Sequence, residues 1–118
     1  MEFLNKIELR GVVGRATVNY FNESRVCNFT VVTEYSTIDK ERNSTIETNW
    51  FNVSAWGGRD SVADLDSIKK GVWVHVVGRV RVRKYTAQTG EERSASDIVA
   101  HTVEVLQREE FQMQPQRD

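Results

Sequence analysis

KKGVWVHVVGRVRVRKYTAQTGEER, residues Lys69 to Arg93, is the stretch in which side-chain character alternates most regularly. From Val72 to Tyr85 one set of alternate positions is almost all valine, and the other set is mainly aromatic or basic. Successive side chains of a β-strand point to opposite faces. The stretch therefore predicts a strand with one apolar face and one mixed face that carries Trp73, His75, Val77, Arg79, Arg81, Arg83 and Tyr85.

Two further features of this stretch indicate its shape. Gly78 interrupts the strand, and an internal glycine often marks a bulge, across which the two faces would exchange. Residues 86–90, TAQTG, form a hairpin-tip signal with a glycine available for positive φ. A hairpin with a basic face and an aromatic tip suits a polyanion with flat rings, and single-stranded nucleic acid is such a ligand.

The rest of the chain predicts more strands and one helix. Strand patterns are expected over residues 6–13 with an extended continuation to 21, and over residues 25–35, 49–56, 72–85 and 94–106. Gly11 and Gly14 are expected to break or bend the first strand, and the polar residues 36–48 predict a mobile loop or a long hairpin tip. Residues 60–68 space Val62, Leu65 and Ile68 for one helical face, capped by Asp60 or Ser61.

This order of elements predicts an all-β fold. Five strands with one short helix between the third and fourth match a five-stranded Greek-key barrel of the oligonucleotide-binding (OB) type. We expect one domain over residues 1–106 and a short flexible C-terminal tail over residues 107–118, which contain the only proline.

Charge is distributed unevenly along the 118 residues. The net charge is −1, which does not indicate a globally basic nucleic-acid binder. Residues 69–93, however, carry seven basic and two acidic side chains, whereas the remainder carries nine basic and fifteen acidic ones. Because the Debye length is about 8 Å at physiological salt, a ligand responds to the local patch rather than to the sum.

Catalytic and metal-binding chemistry finds little support in the sequence. The single cysteine, Cys27, excludes an internal disulfide and lies on the apolar parity of its strand, which predicts a core position. His75 and His101 lie in separate strands without ligand partners at metal spacing, and no phosphate-cradling loop or nucleophile motif is present. We expect no enzyme activity, no metal and no cofactor. No apolar run reaches membrane-span length and no signal segment opens the chain, so we expect a cytoplasmic protein.

Aromatic residues are the strongest candidates for ligand contact. Trp50 and Trp56 fall on one face of the third strand with polar residues, whereas Phe51, Val53 and Ala55 fall on the other, core-like face. The two tryptophans either stack on bases or close the barrel end and pack a dimer contact. Tyr85 is similarly either a stacking residue or a cross-strand aromatic.

Two other features of the fourth strand have alternative interpretations. Trp73 is assigned to packing or subunit contact. The arginine row either contacts phosphates or keeps a strand edge soluble.

Four segments resemble the bacterial single-stranded DNA-binding protein family. They are NKIELRGVVG (residues 5–14), NFTVVT (28–33), TNWFNVSAWG (48–57), and KG (70–71) with GRVRVRKYTAQTG (78–90). The resemblance covers roughly residues 4–106. It implies an OB fold that binds single-stranded DNA, with RNA as an alternative ligand, without sequence preference in replication, repair or recombination. It also implies a homotetramer rather than a dimer, in the bacterial cytoplasm and nucleoid.

The resemblance also implies contact residues. Trp50 matches the strand-three tryptophan of the family, Trp56 stands at a base-stacking aromatic position, Tyr85 replaces a tryptophan at the hairpin, and Tyr35 is the nearest aromatic to the end of strand two. The candidates for phosphate contact, including Arg79 from the strand pattern, are Lys6, Lys70, Arg79, Arg81, Arg83 and Lys84.

This sequence departs from the family pattern at its C-terminus. Family members continue into a long tail with an acidic-hydrophobic tip, whereas this sequence ends at Asp118 with only Glu109-Glu110-Phe111 as a poor counterpart. Tail-mediated recruitment of repair enzymes is therefore in doubt. The alternatives are a tailless paralogue from a mobile element, a primosomal or replication-restart accessory protein, and an OB-fold assembly module without nucleic-acid binding.

Overall fold

The computed structural model describes residues 1–106, and these residues form a closed five-stranded barrel. The strands are β1 (Ile7–Phe21), β2 (Ser24–Ile38), β3 (Ser44–Trp56), β4 (Trp73–Thr86) and β5 (Glu92–Leu106). They follow one another around the barrel in the order β1-β2-β3-β5-β4. Neighbouring strands are antiparallel except β3 and β5, whose short parallel pairing at Val53 and Ser54 completes the closure. The predicted all-β barrel is confirmed, and the predicted tail, residues 107–118, lies outside the described residues.

β1 is one long strand that bends at Gly14 rather than two separate pieces. Its register with β2 shifts between Val13 and Arg15, so Gly14 is the extra residue of a β-bulge. The inward face changes there: Leu9 and Val13 are buried before the bulge, and after it even-numbered residues such as Ala16 pack on the core. The bulge thus curves β1 enough to pair with β4 at one end and β2 along the other.

A second bulge lies beside Gly78, but its extra residue is on the partner strand. Val77 pairs with Thr102 and Gly78 pairs with Ala100, so His101 of β5 has no opposite residue. The two faces of β4 therefore do not exchange at Gly78, contrary to the expectation for a bulge in β4 itself. A Cβ at Gly78 would collide with the carbonyl oxygen of Val99, which explains why glycine is required here.

Residues 36–48 form the end of a long hairpin rather than an unpaired loop. The β2–β3 pairing continues from the barrel out to Ile38 and Ser44, and the turn between them has five residues. The Asp39 carboxylate accepts hydrogen bonds from the backbone N–H groups of Glu41 and Asn43, at 2.9 and 2.8 Å. Of the two predicted possibilities, the long hairpin tip is therefore the one observed.

The helix predicted over residues 60–68 is reduced to a three-residue 3-10 turn, Leu65–Ser67, that Asp64 caps instead of Asp60 or Ser61. Val62, Leu65 and Ile68 are all buried as the pattern indicated. Their spacing of three also fits the three residues per turn of a 3-10 helix. Residues 60 and 61 lie in a turn that is closed by a hydrogen bond from the Val62 N–H to the carbonyl of Arg59. Val62 itself forms a bridge with Val103 of β5 instead of continuing a helix.

The core fills the barrel with small and branched side chains. Val13, Val31, Val53, Val74 and Val76 are fully buried, as is Cys27, whose predicted core position is confirmed. Burial raises the pKa of the Cys27 thiol, because the thiolate would lose its hydration. Because the inward faces of the strands form the core, only their outward faces are available for ligand contact.

Candidate functional site

The outward face of β3 carries two tryptophans with two polar residues between them. Trp50, Asn52, Ser54 and Trp56 lie on this face. Val53, on the alternate parity, is only 2% exposed, whereas Trp50 is 63% exposed. The predicted division of β3 into a core face and an aromatic-polar face is confirmed.

A groove of about 540 Å³ crosses the outside of the barrel, and its lining residues come from all five strands. Asn52 and Ser54 line it, so it lies between the positions of Trp50 and Trp56 along β3. We call it the polar groove. Its lining residues are Arg15, Thr17, Asn19, Asn28, Phe29, Thr30, Asn52, Val53, Ser54, Arg83, Ala95, Ser96 and Asp97.

The Trp50 indole lies against the backbone of Gly14. A Cβ at Gly14 would come within 2.5 Å of the indole Cζ3 and within 2.9 Å of the Thr30 hydroxyl. The β1 bulge therefore leaves room for the ring beside the barrel wall. Because Trp50 is nonetheless mostly exposed, the indole is both supported by the protein and available to a flat ligand ring.

The floor of the polar groove offers hydrogen-bonding groups rather than apolar surface. Ser54 donates a hydrogen bond of 2.7 Å to the side-chain carbonyl of Asn28, its partner across the β2–β3 ladder. The Thr30 hydroxyl is buried and has no hydrogen-bond partner within residues 1–106. An unpaired buried hydroxyl is costly unless a ligand or water satisfies it. The exposed amides of Asn28 and Asn52, which also line the groove, are the groups that can meet different polar edges of a base.

Trp56 is half-buried and packs edge-to-face against Phe21, with ring centroids 6.2 Å apart. Phe21 is mostly exposed and adds an aromatic ring at the end of β1. The sequence pattern did not identify Phe21, because its face depends on the bulge at Gly14. If the alternation of inward and outward side chains is restarted after the bulge at Gly14, Phe21 falls on the outward face together with Thr17 and Asn19, which line the polar groove.

Asp97 alters the role predicted for the arginine row. Asp97 is 9% exposed, and its carboxylate accepts hydrogen bonds from Arg81 Nε and Nη2 at 3.2 and 2.9 Å. Arg83 Nη2 lies 3.3 Å from the same carboxylate. The hydrogen bond from Arg81 holds the pKa of Asp97 below its usual value, and the same bond raises the pKa of Arg81.

Arg81 is thus engaged by the protein, whereas Arg83 is shared between Asp97 and the polar groove. The sequence pattern did not single out Asp97. The pairing of Arg81 with Asp97 across the β4–β5 ladder was not visible without the register of the hairpin.

The hairpin residues divide between two faces. Tyr85 is half-exposed and shares the outward parity of Arg81 and Arg83, whereas Lys84 points to the opposite side with Val82. The turn after Thr86 closes through hydrogen bonds between Ala87, Gly90 and Glu91, with φ of +88° at Gly90, so the predicted hairpin tip is confirmed.

Tyr35 is exposed on the protruding end of the β2–β3 hairpin, where it pairs with Glu47. Trp50 pairs with Val32, so Tyr35 has the opposite parity and lies on the other face of this ribbon. The structure therefore does not bring Tyr35 to the polar groove.

The remaining candidate cations lie elsewhere. Lys6 and Arg79 line a second groove of about 500 Å³ beside the β4–β5 bulge, which we call the basic groove. Lys70 is exposed in the turn before β4, where Gly71 donates a hydrogen bond to the carbonyl of Val13. The sequence-predicted cations therefore form more than one surface.

The described residues show neither a metal cluster nor a membrane-spanning helix. Between residues 1 and 106 no group of three or more His, Cys, Asp or Glu side chains is arranged to hold a metal ion. Over the same range, no helix has the length and apolar character needed to cross a membrane.

Comparison with known families decides the relationship of this chain. The profile of the Single-strand binding protein family matches residues 4–106. The chain belongs to this family. Among curated single-strand binding proteins, that of Neisseria meningitidis serogroup A is 37% identical over 105 residues, and that of Xanthomonas campestris pv. campestris is 30% identical. Each match covers 87% of this chain and 60% of the relative, so the chain spans less than two thirds of these relatives.

Solved structures of single-strand binding proteins have the same fold. The structure of Plasmodium falciparum SSB in complex with ssDNA superposes with a TM-score of 0.75 at 22% identity and covers 91% of this chain and 98% of its own. A deletion mutant of the single-stranded DNA-binding protein of Thermus aquaticus superposes with a TM-score of 0.71 at 18% identity, covering 89% of this chain and 51% of its own. The five-stranded OB-type barrel is thus confirmed.

Proposed function

We propose that this protein binds single-stranded DNA without sequence preference. The observation that carries the proposal is the placement of Trp50 and Trp56 on one outward face of β3, on either side of the polar groove. Base–aromatic stacking contributes about 1–3 kcal/mol per base and tolerates any sequence, because every base has a flat face. Family membership and the curated relatives, which are named single-stranded DNA-binding proteins, support the binding of single-stranded DNA.

The mechanism divides contacts between rings and charges. Trp50, Trp56 and Tyr85 stack on bases, and Phe21 supports Trp56 and extends the aromatic surface. Arg83 faces the polar groove and contacts phosphates there. The groove is lined by amide and hydroxyl groups, which both donate and accept hydrogen bonds and therefore do not match one base alone. Stacking does not read base edges, so binding stays tolerant of sequence. The proposal requires no reaction, metal or cofactor.

We further propose that the protein works as a homo-oligomer, with a tetramer favoured. Val12, Trp73 and Leu106 form a half-buried row across β1, β4 and β5 on the outward side of the barrel. An apolar row on the outside of a barrel is typical of a subunit contact. The row lies on different strands from β2 and β3, which supply much of the polar groove, so assembly leaves that groove open.

The cellular role follows from the ligand. A protein that covers single strands in this way acts wherever DNA is unwound, in replication, repair and recombination, within the bacterial cytoplasm and nucleoid. A role as a primosomal accessory protein would use the same interface and differ in its protein partners.

The proposal is tested by intrinsic tryptophan fluorescence during titration with oligothymidine, with a matched duplex and oligouridine in parallel, at low and high salt. We expect quenching by oligothymidine and not by the duplex, and weaker binding at high salt. Trp50→Phe should remove much of the quenching, whereas Trp73→Phe should retain it. Absence of quenching, together with absence of binding in a filter assay, would favour the assembly module instead.

A further inference from the structure

The basic groove is a second charged surface that the aromatic interface does not include. It lies between the N-terminal segment, the β4–β5 ladder and the loop after β3. None of its lining residues is acidic. They are Leu4, Asn5, Lys6, Arg59, Val77, Gly78, Arg79, Val99, Ala100 and His101.

Asn5 fixes the N-terminal side of the basic groove. Its side-chain amide donates to the carbonyl of Val80 at 2.7 Å, and its side-chain oxygen accepts from the N–H of Val80 at 2.9 Å. This pair of hydrogen bonds extends the β1–β4 ladder beyond Ile7 and Gly78, where the backbone pairing begins. Lys6 is therefore held beside Arg79 rather than left on a loose terminus.

The bulge in β5 fixes the opposite side. His101 is the extra residue, and its side chain is exposed. Its backbone carbonyl accepts a hydrogen bond of 3.0 Å from the Ser61 hydroxyl, and the N–H of Val103 donates to the carbonyl of Ser61 at 3.0 Å. These bonds tie the loop after β3 to β5 and bring Arg59 to the groove. Bulges commonly redirect side chains in this way beside functional sites.

The cations of the basic groove are not neutralised by neighbouring carboxylates. Lys6, Arg59 and Arg79 form no salt bridge with any residue of the described part of the chain. In the polar groove, by contrast, Asp97 engages both Arg81 and Arg83. The basic groove is therefore the stronger site for phosphate, and the polar groove is the stronger site for bases.

The two grooves are joined by one outward stripe of the β4–β5 ladder. Arg83 pairs with Ala95 in the polar groove, and Arg79 pairs with Val99 in the basic groove. The distance along the strand from Arg79 to Arg83 is about 13 Å at the usual rise of ~3.3 Å per residue. A single strand that leaves the polar groove along β4 would reach the basic groove without crossing an edge of the barrel.

We propose that the basic groove is a second phosphate-binding site, which takes the sugar–phosphate backbone of the single strand where it leaves the polar groove. Arg59, Arg79 and Lys6 bind the phosphates, His101 donates a further hydrogen bond, and Asn5 is a positioning residue for Lys6. This inference rests on the proposed function and adds a site that only longer strands occupy.

The test compares two lengths of oligothymidine, about 4 and about 30 nucleotides. About 4 nucleotides is the lower end of what one OB fold covers, so the shorter strand fills the polar groove without extending ~13 Å further along β4. Arg59→Ala should weaken binding of the longer strand several-fold. The slope of log K against log salt concentration should become shallower by about 0.7 for each phosphate that is no longer neutralised. Binding of the shorter strand and its fluorescence quenching should not change. Lys40→Ala is the matched control, because Lys40 is exposed in the β2–β3 turn and lines neither groove.

The outcomes separate the two proposals. If the unaltered protein binds neither strand, the proposed function fails and this inference fails with it. If it binds both but Arg59→Ala resembles Lys40→Ala, or weakens both lengths equally, the inference alone is overturned. Loss of poly-glutamate binding in Arg59→Ala with unchanged DNA binding would also overturn it, because the groove would then take an acidic protein. Competition by millimolar inorganic phosphate confined to the longer strand would support the inference.

Discussion

At the scale of single residues, Asp97 changes how the basic strand is understood. Three arginines in alternate positions predict three equivalent phosphate contacts. The carboxylate of Asp97, however, forms salt bridges with both Arg81 and Arg83. Hydrogen bonding from Arg81 keeps the pKa of Asp97 low, so the carboxylate remains charged across the physiological range. Asp97 therefore limits the positive potential above the polar groove.

Asp97→Asn should strengthen binding of single-stranded DNA at low salt and steepen its salt dependence. Removing the carboxylate frees one or two guanidinium groups, and each new phosphate contact adds about 0.7 to the slope of log K against log salt. The measurement is a fluorescence titration at several salt concentrations. Asp66→Asn is the control. The Asp66 carboxylate lies 2.6 Å from Nη2 of Arg25, and neither residue lines the polar groove. Weaker binding by Asp97→Asn would instead show that Asp97 holds the arginines in their binding positions.

Trp50→Ala should weaken binding by about 1–3 kcal/mol without changing the preference between thymine-rich and cytosine-rich strands, because stacking does not read base edges. Tyr35→Ala should have a much smaller effect, since Tyr35 lies on the other face of the β2–β3 ribbon. Competition titrations with the two kinds of strand measure both quantities. A changed preference at unchanged affinity would contradict stacking by Trp50.

At the scale of elements, the bulge in β1 determines which side chains line the polar groove. Gly14 supplies the extra residue that reverses the faces of β1 and also provides the flat backbone against which Trp50 lies. The bulge therefore sends Thr17 and Asn19 into the polar groove and places an indole at its border. In β5, the bulge at His101 likewise determines which side chains line the basic groove.

Gly14→Ala should displace the Trp50 indole and weaken DNA binding, because the new methyl group would lie within 2.5 Å of the ring. Gly58→Ala is the informative comparison. Gly58 has φ of +83° with open space around it, so alanine there costs roughly 1 kcal/mol of stability through backbone strain and should leave DNA affinity unchanged. Thermal melting and fluorescence titration of both variants distinguish the effects. Unaltered affinity in Gly14→Ala would mean that the indole position is not critical.

At the scale of the whole molecule, the barrel separates surfaces of different chemical character. The outward sides of β2 and β3 carry the aromatic and polar groups, the β4–β5 ladder carries the arginine stripe, and the row of Val12, Trp73 and Leu106 offers an apolar contact. A homo-oligomer built on that row can present several grooves to one DNA strand. Such multivalency raises the apparent affinity without any new type of contact.

Light scattering during gel filtration should give a mass near four times the 13.6 kDa of the chain. Val12→Asp should reduce this mass, because a charge in the apolar row would be desolvated on assembly. Val82→Asp introduces the same charge at a valine that is 63% exposed and should leave the mass unchanged. A monomer in the unaltered protein would remove the basis for the proposed oligomer.

The local pattern of the sequence was sufficient to specify the strands. Alternation of side chains defines strands and their two faces without reference to any distant residue, so the core face of β3, the buried Cys27 and the hairpin tip after Thr86 could all be predicted. The short helix between β3 and β4 is present, but its length and its 3-10 type could not be predicted, because a spacing of three fits both an α-helix and a 3-10 turn. Contact with Val103 selected the extended alternative for Val62.

Which side chains meet could be known only from the closed barrel. The polar groove draws on residues of all five strands, and the engagement of Arg81 by Asp97 depends on the hairpin register. The basic groove likewise needs Asn5, Arg59 and His101 to converge on one side of the barrel. Bulges shift register by one residue and reverse the outward faces, and their positions depend on how the sheet closes. For this reason a local pattern specifies the strands, whereas the candidate binding surfaces exist only once the barrel has formed.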